Sequence, residues 1–127
     1  PMWLDPAAIS ERGERLAALA AELGRPRPGI ALLIGVHVDD DAERARRAVA
    51  AHLHGQYRLP LGVVELWTAF GAEDAVAEQL AAQLAAGVTE LVLMPYGTDQ
   101  LEQIERLAGV RDRLAAAVPS LDRGARR

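Results

Sequence analysis

The chain has 127 residues, 50% hydrophobic and 25% charged, which fits one globular domain with a core of its own. It contains no Cys and no Lys, so disulfides, thiolate metal sites, a Cys nucleophile, Schiff-base chemistry and a Walker lysine are all excluded. A net charge of −4 and a pI near 5.3 point away from nucleic acid and from anionic membrane, and no apolar run is long enough to span a bilayer. A cytoplasmic protein is the expectation.

Asp5-Pro6 opens the first helix, an N-cap followed by proline at the first helical position, where its missing N–H is not needed. Ile9, Leu16, Leu19 and Leu23 share roughly one face, and Gly24 stops the helix. The prolines of Arg25 to Gly29, "RPRPG", forbid its continuation. Ile30 to Val38, "IALLIGVHV", is apolar without alternation, the pattern of a strand covered on both faces in a parallel sheet.

Three aspartates follow. Asp40 and Glu43 have capping-box spacing for a second helix with Ala42, Ala45, Val49 and Leu53 on its buried stripe, closed by Gly55. Gln56 to Gly71 is the least regular region, a loop and then a short helix over Val63 to Phe70. A further helix carries Val76, Leu80 and Leu84 and ends at Gly87. Thr89 to Met94 is a second strand, and Thr98 or Asp99 caps a last helix with Leu101, Ile104, Leu107 and Leu114. The structured part is expected over residues 1–118, with 119–127 as a frayed tail.

The expected architecture is α/β, with about two parallel strands and four to five helices. Two strands make a very small sheet with both edges open, so the chain reads as part of a larger fold or as a module that pairs through those edges.

The runs "WLDPAAISERGERLAALAAELGRPRPGIALLIGVHVDDDAERAR", "GQYRLP", "TAFGAEDAVAEQLAAQLAAGVTELVLMPYG" and "LEQIERLAGVRDRL" together resemble the luciferase-like flavin- or F420-dependent oxidoreductases. The likeness is strongest from Phe70 to Leu93. It implies the C-terminal part of a (β/α)8 barrel, with Ile30–Val38 as strand seven and Leu91–Met94 as strand eight. A complete barrel takes about 250 residues, so the N-terminal part would be missing and the chain alone would be inactive. The implied parent acts on a small-molecule substrate with FMN or F420. Barrel active sites lie at the carboxyl ends of the strands, which nominates His37 and the turn Pro95-Tyr96-Gly97 as cofactor contacts or pocket rim.

Other residues carry less. His37 is the only ionisable residue inside the apolar core of either strand, on the face of Ala31, Leu33 and Gly35. Asp39, Asp40 and Asp41 read as helix caps rather than cation ligands. His52 and His54 do not share a helix face, so no metal site is expected. Trp67 and Tyr57 read as packing residues or as a cover over the mouth of the site. The contrasting expectation is a complete, non-catalytic α/β module that self-associates.

Overall fold

The computed structural model describes residues 1–118; the expected tail, 119–127, lies outside the described residues. Five α-helices and three strands follow in the order α1 (Pro6–Glu22), β1 (Ala31–Val38), α2 (Ala42–Tyr57), α3 (Leu61–Val64), β2 (Thr68–Gly71), α4 (Glu73–Ala85), β3 (Glu90–Pro95) and α5 (Gln100–Ala117), with a 3₁₀ turn over Glu65–Trp67. The strands form one open parallel sheet of order β2-β1-β3. The α/β class stands as expected, with three strands instead of two.

The additional strand is Thr68–Gly71, whose first three residues were expected at the end of a short helix over Val63 to Phe70. The helical stretch is real but stops at Trp67. Four residues are too few to show alternation. They become a strand because β1 offers a free parallel edge, pairing Gly35 with Thr68 through Val38 with Gly71. Below that pairing the chain's own start takes over the same edge, since Leu33 N donates to Pro1 O at 2.9 Å and Met2 bridges Leu33.

Chain reversal sets the layers. After β1 the path runs through α2 to β2 on one side, then returns through α4 across β1 to β3 on the other. Parallel crossovers keep one hand, so reversing direction puts the connecting helices on opposite faces. One core joins Leu32, Ile34, Val36 and Val38 of β1 to Ile9 of α1, Val76 and Leu80 of α4, and Leu107, Val110 and Leu114 of α5. The other joins Val49 and Leu53 of α2, Leu61 and Val64 of α3, and Tyr96. The apolar run of β1 is thus explained by its central place between two helical layers.

Other helix expectations are met in part. Asp5 caps α1, accepting from Ala8 N at 2.8 Å, and Asp99 caps α5, accepting from Glu102 N at 3.0 Å. Helix α2 is capped by Asp41, bonded to Arg44 N, not by Asp40, and it runs past Gly55 to Tyr57. Ala45, Val49 and Leu53 are buried as read, whereas Leu16 and Leu19 of α1, Leu23 at its C-cap, and Leu101 and Ile104 of α5 are exposed. Helix α1 is turned so that Ile9 and Gly13 face inward; a Cβ at Gly13 would stand 3.0 Å from Ile30 Cδ1.

The two sheet edges differ. On β2, the Gln79 side chain donates to Phe70 O at 3.0 Å and accepts from Phe70 N at 3.3 Å, doing for that residue what a neighbouring strand would. The outer edge of β3 has no such cover among the described residues. Glu90 N and Tyr96 N point to β1, so by alternation the N–H and C=O of Leu91 and Leu93 point away from it. Val92 is 45% exposed, because α2 packs over β1 and β2 and leaves β3 bare on that face.

Of the glycines in the fold, Gly35 has the least room for a side chain. An ideal Cβ there would lie 2.1 Å from Tyr96 Cζ, so the fully buried Tyr96 ring rests directly on the backbone of the central strand. Replacing Gly35 with Ala is expected to destabilise the chain by about 2–3 kcal/mol through overpacking. Gly62→Ala, with open space at the site, is expected to change stability by less than about 1 kcal/mol. Urea unfolding of the two variants beside the parent checks the contrast.

Candidate functional site at the carboxyl ends of β1 and β3

Strand β1 ends in His37-Val38-Asp39 and β3 leads into Tyr96-Gly97-Thr98-Asp99. Between these two ends, walled by α2 and by the start of α5, lies a crevice of about 430 Å³. In a sheet of order 2-1-3 this is the point where connections leave in opposite directions, and open α/β sheets bind ligands there.

His37 is held in one tautomer. Its Nδ1 lies 2.8 Å from the backbone oxygen of Tyr96. A carbonyl only accepts, so Nδ1 carries the proton and donates it, and in the neutral ring Nε2 is left with its lone pair. Gly97 makes this possible. It sits at φ +106°, and a Cβ there would stand 3.2 Å from His37 Cε1 and Nδ1. Glycine adopts that conformation without strain and leaves room for the ring.

Tyr96 does not form the rim the sequence suggested. Its ring is fully buried under the sheet, with burial raising the pKa of its phenol, and what it gives the site is its carbonyl oxygen. Pro95 is the half-buried last residue of β3. Of the four nominated residues, His37 and Gly97 line the crevice, and Pro95 and Tyr96 do not.

Sequence reading missed three contributors. His52 of α2 stacks on the Tyr96 ring, centroids 4.1 Å apart at 16°, and burial lowers its pKa. Its spacing from Val49, one turn along the buried stripe, was the available signal. Gln103 is 5% exposed on α5; its Nε2 donates to Val38 O at 2.9 Å and its Oε1 accepts from Val38 N at 2.7 Å. The sequence signal was a polar residue opening the run Gln103, Leu107, Val110 and Leu114 along the buried face. Glu102 brings a carboxylate to the crevice wall.

Asp39 anchors the turn after β1. Arg44 binds both of its oxygens, each at 2.5 Å, and Asp41 N donates to Oδ1 at 2.8 Å. The Arg44 hydrogen bond first, and then the Asp41 N–H, hold its pKa below the usual carboxylate value, with burial opposing. The N-termini of α2 and α5, where a phosphate would find free N–H groups, are already occupied by Asp41 and Asp99. Among the described residues, no group of three or more His, Asp or Glu side chains comes together to hold a metal ion, and no helix is long and apolar enough to cross a membrane.

Comparison with family models, with characterised proteins and with solved structures returns no match.

The depressed Asp39 pKa has a stability consequence. A carboxyl lowered in the folded state stabilises above its unfolded value, about 3.9, and loses that contribution as pH falls through the folded value. Asp39→Asn is therefore expected to lower the urea midpoint at pH 7, with the gap to the parent closing as pH drops below about 4. A constant gap at every pH would show that the charge is not what matters.

Proposed function

We propose that the chain is a small-molecule-binding α/β domain whose site is the crevice between the ends of β1 and β3, with His37 Nε2 as its proton acceptor. The observation that carries this is the His37 Nδ1 bond to Tyr96 O, which leaves one imidazole nitrogen basic at the switch point of the sheet. Asp39 is neutralised by Arg44, so Glu102 and the free oxygen of Asp99 give the remaining crevice an acidic balance. Ala48 and Ala51 supply an apolar wall. This chemistry suits a small neutral or cationic molecule that offers a hydrogen-bond donor to His37. It disfavours a phosphate, because carboxylates hold the helix N-termini.

The resemblance to luciferase-like oxidoreductases would use the same end of the sheet. The direct parallel pairing of β1 with β3 supports it, as strands seven and eight of a barrel would pair. Against it, β2 takes the opposite edge of β1, whereas barrel strands follow one another around the ring. FMN and F420 both carry phosphate, which this crevice is poorly made to receive.

One titration separates these readings. Adding n-butylamine to the ¹⁵N-labelled chain is expected to shift the resonances of His37, His52 and Thr98, and His37→Ala should abolish the shifts. Butyrate and FMN are expected to leave them in place. Tight stoichiometric FMN binding would restore the flavin reading, and no response of the crevice to the amine would remove ours.

A second reading, self-association, is favoured by the bare edge of β3. Arg113 faces α4 through Glu73 and Asp74, so exposed Leu101 and Ile104 lie on the opposite flank of α5, beside that edge. A second copy fits it antiparallel about Val92. Leu91 then pairs with the partner's Leu93 in both directions, and Pro95, which has no N–H, ends the ladder. Size-exclusion chromatography is expected to show a concentration-dependent dimer that Leu93→Pro converts to monomer; a monomer at high concentration in the parent would refute it.

A further inference from the structure

A second cleft, of about 420 Å³, lies on the other side of the molecule, between the β2 edge, the start of α1 and helix α4. Pro6, Leu66, Phe70 and Ala82 make it largely apolar. Its polar side chains are nearly all engaged. Glu65 is paired with Arg46, Gln79 holds the backbone of Phe70, and the Thr68 hydroxyl donates to Glu65 O at 3.1 Å. Gln83 is the exception. It is only 3% exposed, and its Oε1 is buried with no hydrogen-bond partner.

An orphaned amide oxygen in an apolar site is destabilising unless something donates to it. The neighbouring side chains cannot, being engaged with one another or apolar. Since Glu65 is neutralised by Arg46, the cleft brings no free charge to a ligand, which argues for an uncharged one. A carboxamide offers an acceptor and two donors in one plane, so its best complement is another amide edge, an N–H beside a C=O. Pro6, Leu66 and Ala82 supply apolar walls for a small ring.

We propose that this cleft is a binding site, separate from the His37 crevice, for a small uncharged ring compound with a lactam or imide edge, paired through Gln83. The ligand N–H donates to Gln83 Oε1 and its C=O accepts from Gln83 Nε2, while the ring lies among Pro6, Leu66 and Ala82.

The test uses 2-piperidone and N-methyl-2-piperidone, which carries a methyl group in place of the N–H, titrated into the full chain and followed by ¹H–¹⁵N NMR. The lactam is expected to shift the Gln83 side-chain amide and the Leu66 and Phe70 backbone signals, leaving His37 and Thr98 unmoved. The N-methyl compound should bind about tenfold more weakly, because it leaves Gln83 Oε1 unpaired. In Gln83→Met the preference between the two probes should vanish. If that variant does not fold, Ala82→Leu, an exposed position on the cleft wall, should block the lactam with Gln83 intact. Equal binding of the two probes would overturn the proposal. So would an unchanged spectrum up to the solubility limit, which would assign the orphan oxygen to a bound water.

Discussion

The fold depends on one close approach, the Tyr96 ring lying against the backbone of Gly35. It joins the centre of the sheet to the α2 layer, because the same ring stacks on His52 and sits in the cluster of Val49, Leu53 and Leu61. It also fixes the site. With the ring pinned beneath β1, the Tyr96 carbonyl is held where His37 Nδ1 can donate to it, and the following Gly97 turns away at positive φ. Core packing and the ionisable nitrogen of the crevice are therefore two results of one contact.

That coupling explains an uneven division of aromatic residues. The chain has few, two Trp, two Tyr and one Phe. Tyr57, Trp67, Phe70 and Tyr96 all belong to or border the α2-side cluster, and Trp3 meets Tyr57 edge-on at 5.3 Å. The opposite layer is built from Ile, Leu, Val and Ala. Small aliphatic faces let α4 and α5 lie flat on the sheet. Wide rings fill the side where α2 and α3 leave the sheet partly uncovered.

Much of the fold was legible in the residues. The unbroken apolar run of β1 announced a strand covered on both faces, Asp5-Pro6 and Asp99 marked their helix starts, and the stripe Ala45, Val49, Leu53 faces the core. What failed depended on partners distant in sequence. Thr68–Gly71 is a strand because β1 offers an edge, not because of its own pattern. The exposed Leu16, Leu19 and Leu23 follow a perfectly helical period, but period reports an apolar face and not whether anything covers it. At the candidate site, His37 and Gly97 could be named from their place at strand ends. Gln103 serves Val38 from 65 residues away, and no local signal ties those two together.

The Gln79 amide on Phe70 has a further consequence for assembly. It occupies one rim of the sheet with the molecule's own side chain, which among the described residues leaves the rim of β3 open to a further strand. A sheet that can extend from both rims propagates head to tail into an open filament. One that can extend from a single rim is exhausted by the first symmetric encounter, because each copy consumes the other's free rim. Under the self-association proposed above, a single glutamine would limit strand pairing to a closed pair.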